Sequence, residues 1–287
     1  MEFVVAAGWG FMNRSRFSLN QATIKYSSLE DALRITAGAG IPAIGVWRES
    51  IAERGLASSA RIIKASGLRV SSLCRGGFFT DLPGRSRTLA IDENRRAIEE
   101  AHTVGAPCLV LVAGGLPAGS RDLIGARDRV ADALAELVDD ASAAGVVLAI
   151  EALHPMYAAD RAVVSTLGQA LDIAELFPPS QVGVVIDTFH VWWDPSLFGQ
   201  IHRAGESGRI ASYQVCDWVT PIAPDPLLSR GYPGEGHIDF SKITDAVLAA
   251  GYGGDIEMEI FRQEVWDADP TSVAEKAVET YTVLIGL

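Results

Sequence analysis

At 287 residues, with 48% apolar side chains and a mean hydropathy of +0.19, the chain can bury one sizeable α/β core. A formal net charge of −12 excludes the basic face that nucleic-acid binders need. No apolar run approaches the ~20 residues that span a bilayer, and the acidic second residue leads straight into a strand-like run, unlike a secretory leader. Cys74, Cys108 and Cys216 lie far apart and form no CxxC pair, which fits free thiols in a reducing, cytoplasmic setting.

Strand-like runs are predicted at residues 3–7, 43–47, 69–73, 108–112, 146–151, 182–187, 210–215 and 255–260. Most are short and β-branched or aliphatic, as strands of buried parallel sheets are. Segments with helical spacing lie between them. Residues 28–39 carry Leu29, Ala32, Leu33 and Ile35, and Gly40 closes the segment. Residues 121–144 place Leu123, Ile124, Val130, Leu134, Leu137, Val138 and Ala141 on one broad stripe, with Gly145 as the stop. Residues 165–176 and 240–250 repeat the pattern, the latter with Asp239 as N-cap and Gly251 as its stop.

Eight strands alternating with helices, over a length near the ~250 residues typical of that fold, predict a single (β/α)8 TIM barrel. Residues 1–287 then form one domain. A doubly wound open sheet would carry GxGxxG after its first strand, and none is present. The longest connections, residues 75–87 and 217–237, follow the third and seventh strands, and long loops on a compact scaffold usually serve function.

The stretch 182–195, VGVVIDTFHVWWDP, ends its strand at Asp187, at the rim where active sites of parallel α/β folds form. The fifth strand ends at Glu151, the seventh carries Gln214 with Asp217 just beyond, and the eighth carries Glu257 and Glu259 on one face. Four successive strands thus bring oxygen donors to one rim. Buried carboxylates in a cluster repel one another unless they are protonated or bind a cation. An oxygen-rich set of this kind suits Mn²⁺, Mg²⁺ or Co²⁺.

Other residues gather at the same strand ends. His190 follows Asp187 by three residues, and His154 lies just past Glu151 as a further candidate base. Arg75 and Arg230 sit in rim loops and could bind a substrate hydroxyl, carboxylate or phosphate. Trp9, Trp47, Trp192, Trp193 and Trp218 would wall a pocket for the face of a sugar ring or an aglycone. Asp217, Asp225 and Glu235 give the seventh-strand loop an acidic character, which disfavours a phosphorylated sugar. Glu257, deeper than Glu259, is expected inside the barrel.

The segments IEALHP, VVIDTFHVWWDP, YQVCDW, PGEGHIDF and GYGGDIEMEIF resemble the xylose-isomerase-like TIM-barrel superfamily, most densely over residues 146–261. Ketose 3-epimerases, hydroxypyruvate isomerase, inosose dehydratase and dehydroshikimate dehydratase belong to it. The resemblance implies one metal held by Glu151, Asp187, Gln214 and Glu259. Gln214 departs from the pattern, since His is commoner there; an amide oxygen should favour harder ions and weaken zinc binding. It also implies that Glu151 and Glu259 act as acid and base on opposite faces of the substrate, through an enediolate, with His190 on the substrate oxygens.

The expected activity is therefore a Mn²⁺-dependent (or Mg²⁺- or Co²⁺-dependent) isomerase or epimerase of a neutral sugar or keto-sugar. A lyase of the same fold is the alternative, cleaving a 3-keto-glycoside or dehydrating a cyclic polyol or dehydroshikimate-like compound. A non-catalytic binding or partner subunit would rest on Gln214 as a degraded ligand. The related endonuclease IV branch needs a histidine-rich site and a basic groove, against five histidines and a charge of −12 here. Expected partners are a small carbohydrate and further copies of the chain or a second subunit, with neither nucleic acid nor membrane.

Overall fold

Eight parallel strands hydrogen-bond round into a closed barrel in the computed structural model, which describes residues 14–285. They are Phe17–Asn20, Ala43–Trp47, Arg69–Gly77, Cys108–Val112, Val147–Glu151, Val182–Asp187, Ile210–Val215 and Ile256–Met258. The first strand closes the ring by pairing with the eighth, Ser18 opposite Glu257. The run at residues 3–7 and Trp9 lie outside the described residues. The barrel's first strand is instead Phe17–Asn20, whose alternate residues Ser18 and Asn20 are polar yet fully buried.

The four helices expected at residues 28–39, 121–144, 165–176 and 240–250 form there, and the caps say why they start where they do. Ser28 accepts the Asp31 N–H at 3.1 Å ahead of Leu29–Gly38, and Asp122 accepts the Gly125 N–H at 2.8 Å ahead of Leu123–Ala144. Asp239 caps Phe240–Ala249 through the Lys242 N–H at 3.3 Å. Asp or Ser at this position satisfies an N–H that the helix itself cannot. The apolar faces pack on the outside of the barrel. Leu134 and Leu137 of the long helix join Leu109, Leu111, Leu148 and Ile150 of the strands in one continuous core. Burial of each such side chain contributes roughly 1.5–3 kcal/mol.

The barrel interior is different in kind. Cys74, Cys108, Val110, Ala149 and Val185 form a separate small cluster there, with Trp47, Val147 and Ala211 packed against it. All three cysteines are free and buried. Among the described residues, no helix is long and apolar enough to cross a membrane.

The two long connections are less loose than their sequences suggest. The third strand runs on to Gly77, where a Cβ would lie 1.9 Å from the Val112 carbonyl oxygen, so only glycine permits that approach. After the seventh strand, Asp217–Trp218 pairs antiparallel with Arg230–Gly231, which returns Arg230 to the barrel mouth.

Candidate functional site

Glu151 and Asp187 end adjacent strands, and His190 sits in the short helical turn Thr188–Val191 that follows. One ligand atom from each of the three lies within 4.8 Å of the other two, and all three side chains are buried. Asp187 caps its turn by accepting the Phe189 N–H at 2.8 Å, while its other oxygen accepts from Arg230 Nη1 at 3.0 Å. Gln214 lies beside Asp187 in strand register. Its Nε2 donates to Glu257 at 3.0 Å, and its buried Oε1 has no hydrogen-bond partner among the described residues. Such an orphaned oxygen costs ~1–3 kcal/mol unless a donor or cation meets it. Glu259, one residue past the eighth strand, accepts from Arg230 Nη1 at 3.1 Å.

Glu151, His190, Gln214, Arg230 and Glu259 line one cavity of about 1050 Å³ at the barrel mouth. Burial and the neighbouring Asp187 and Glu259 push Glu151 well above the ordinary carboxylate range. Burial pushes Glu259 up to about 8, with Arg230 opposing and Asp187 reinforcing the rise. Asp187 is raised by burial too, but Arg230 and the Phe189 N–H hold it back. Burial and Arg230 keep His190 well below its usual value, hence neutral.

A neutral imidazole has one donor and one acceptor nitrogen. Nδ1 of His190 receives the His154 backbone N–H at 3.1 Å, and Nε2 lies 3.0 Å from Arg230 Nη2. Both ring nitrogens thus face donors, and one of the two contacts is donor against donor.

The donor set fits a divalent cation. Glu151, Asp187 and Glu259 all have raised proton affinity, Arg230 joins the last two, and the unpartnered Gln214 oxygen belongs to the strand beside Asp187, a charge pattern that a cation would relieve. Cys74, Glu257 and Glu259 form a second tight group. Glu257 is already saturated there by Asn20, Ser71, Ser72 and Gln214.

The structure brings most of the sequence-derived candidates together. Arg75 and Trp47 line the cavity, Arg75 lying over the Trp47 and Phe78 rings at 5.7 and 5.3 Å. His154 takes another place. Its ring packs on Trp218 and Trp193, at 5.1 and 5.4 Å, and its Nδ1 caps the 3₁₀ turn Pro155–Tyr157. Trp192 tilts onto Trp218 at 5.9 Å and packs beneath the loop, away from the cavity lining.

Asp217, expected at the substrate, is turned into its own loop. It is fully buried and accepts backbone N–H groups of Trp218, Gly234, Gly236 and Ile238 at 2.7–3.0 Å, which occupies its oxygens. The acids of this loop divide. Glu235 pairs with Lys276 at 2.6 Å, while Asp225 lines the cavity together with Arg75, Arg161 and Arg230, Arg161 lying 3.8 Å from Asp225. Phe78, Arg161 and Phe261 were not singled out by the sequence. Phe261 had a signal, lying on the same face as Glu259 two residues on; Phe78 and Arg161 had none.

Comparison with known proteins gives the family and the fold. The family described as "Xylose isomerase-like TIM barrel" matches residues 33–282. An inosose isomerase of Bacillus velezensis is 25% identical over 283 residues, 94% of this chain and 97% of its own. The crystal structure of protein SMc04130 from Sinorhizobium meliloti 1021 is 48% identical, with a TM-score of 0.91 over 95% of this chain and 99% of its own. The IolI protein, whose structure holds a zinc atom, is 23% identical with a TM-score of 0.82 over 94% of this chain and 98% of its own, a likeness of fold. Further homologues are named as an epimerase and a dehydratase. With the barrel, its rim of carboxylates and a match across most of its length, the chain belongs to the xylose isomerase-like TIM barrel family.

Proposed function

We propose that the protein is a divalent-metal-dependent sugar isomerase or epimerase that removes a proton α to the carbonyl of a sugar or keto-sugar. The observation that carries this reading is the pair Glu151 and Glu259, two buried carboxyls with raised proton affinity at the ends of the fifth and eighth strands, both lining one cavity. A carboxyl with raised proton affinity can both take a proton from carbon and return one. Glu151, Asp187, Gln214 and Glu259 would hold the cation, Mn²⁺ suiting the oxygen-rich set best. When bound, it supplies a Lewis acid that stabilises negative charge on the substrate oxygen.

The remaining residues bind and orient. Arg230 and His190 line the cavity where substrate oxygens would bind, and Arg230 is itself clamped between the Phe189 and Phe261 rings at 4.6 and 5.0 Å. Trp47, Phe78 and Phe261 form part of the cavity wall. A second reading, β-elimination from a 3-keto-glycoside, begins with the same proton abstraction. The about 1050 Å³ cavity, flanked by these aromatic rings, favours it as room for an aglycone.

Incubation with Mn²⁺ and a panel of ketoses and 3-keto-glycosides in D₂O tests both readings. Deuterium should enter a substrate C–H, and release of an aglycone would select elimination. No exchange into any member of the panel would sink both.

A further inference from the structure

We propose that Glu257 is a positioning residue that fixes which end of the Gln214 amide faces the cavity, making its carbonyl oxygen available as a metal ligand. The inference rests on the metal-site reading above. An amide is two-ended, a donor NH₂ beside an acceptor oxygen, and its orientation follows from its neighbours. Gln214 and Glu257 are register partners on the seventh and eighth strands, and Gln214 Nε2 donates to Glu257 at 3.0 Å. A carboxylate accepts only, so it selects the NH₂ end and sends the oxygen the other way. That oxygen is the buried one without a partner, on a residue lining the cavity.

Glu257 cannot turn aside, because it is held in turn. Asn20 Nδ2 donates to it at 2.6 Å, and Ser71 and Ser72 hydroxyls donate at 2.5 and 2.8 Å. The Asn20 amide is itself oriented, since its oxygen accepts Trp47 Nε1–H at 2.7 Å and the Ala22 N–H at 2.9 Å. Direction therefore passes from Trp47 through Asn20 and Glu257 to Gln214. The second strand makes room for the carboxylate with Gly45, where a Cβ would lie 2.6 Å from Glu257 Cδ and Oε1. The first, second, third, seventh and eighth strands all contribute to placing one carboxylate, which itself lies outside the Glu151, Asp187 and His190 group.

The test is Mn²⁺ affinity, read from the electron paramagnetic resonance of the free ion, in the full-length protein. Glu257→Gln offers the Gln214 amide a donor as well as an acceptor, so the carbonyl should no longer face the cavity consistently. Its Mn²⁺ affinity should fall by about 10–100-fold, the range for partners that orient a ligand. In a Gln214→Ala background the same change should do nothing further, as no amide remains to be oriented.

An equal loss with and without Gln214, or no loss in a protein that binds Mn²⁺ tightly, overturns the proposal and spares the metal site. Failure of the wild-type protein to bind Mn²⁺ overturns both. Should Glu257→Gln not fold, Glu257→Asp keeps the charge but retracts the carboxylate. Its Co²⁺ absorption bands should shift as those of Gln214→Ala do, and unshifted bands overturn the proposal.

Discussion

Arg230 donates to Asp187 from inside the site, Nη1 to Oδ2 at 3.0 Å, with both side chains almost completely shielded from solvent. The same nitrogen lies 3.1 Å from Glu259 Oε2, so one guanidinium bridges two carboxyl groups of the candidate metal site. The planar fork lies between two aromatic rings, which suits Arg and would not suit Lys.

Arg230→Ala should therefore destabilise the metal-free protein by ~3–5 kcal/mol, because it leaves buried carboxylates unpaired. Added Mn²⁺ should recover much of that loss by supplying the missing positive charge. Thermal melts with and without Mn²⁺ check it. A variant as stable as wild type in the absence of metal would show that the ion pair contributes nothing net.

Glu259 holds its proton up to about pH 8, against an ordinary value of 4.5. Between these values the folded state binds a proton that the unfolded chain has released. The stabilisation is complete below about 4.5 and is lost as pH rises through about 8. Melting of the metal-free protein should thus fall across that window. Mn²⁺ must displace the proton, so its affinity should rise over the same range. Titrations from pH 6 to pH 9 measure both, and an affinity that is flat with pH would contradict the assignment of Glu259 as a protonated ligand.

Gln214→His should keep the fold and move metal preference toward zinc, since imidazole is a softer ligand than an amide oxygen. Competition between Mn²⁺ and Zn²⁺ in the two proteins gives the ratio directly. An unchanged ratio would remove Gln214 from contact with the metal.

Glu259→Gln retains an oxygen for the cation but cannot carry a proton at neutral pH. Turnover should drop by ~10²–10⁴-fold with metal content preserved. Near-normal turnover with intact metal would end the dual role, and His190, which lines the same cavity, would become the better base.

What was legible in the sequence divides along physical lines. Residues 43–47, 108–112, 182–187 and 210–215 are strands with the expected bounds, and in 108–112 and 182–187 burial on both faces demands largely aliphatic side chains. Asp239, Gly145 and Gly251 mark helix ends because capping is local chemistry. The first strand did not stand out. Ser18 and Asn20 face a buried polar network around Glu257 and its neighbours, and that requirement breaks the apolar run.

The candidate site shows the same division. Glu151, Asp187 and Glu259 are recognisable because a strand end fixes where a side chain starts. Asp217 and His154 lie just past strand ends as well, but loop geometry turned them elsewhere. Nothing in residue type distinguishes a carboxylate that faces a cavity from one that staples its own loop.

That staple has a consequence for how substrate range could diverge in this scaffold. The ribbon of Asp217–Trp218 with Arg230–Gly231, and the Asp217 bonds to Gly234, Gly236 and Ile238, secure both ends of the seventh-strand excursion. The tip between them, residues 219–229, contributes Asp225, Leu227 and Leu228 to the cavity. Arg230 is anchored by the ribbon and the barrel, independently of that tip. The tip is therefore an exchangeable cassette: its length and side chains can be altered to admit a different substrate tail while the guanidinium stays on Asp187 and Glu259.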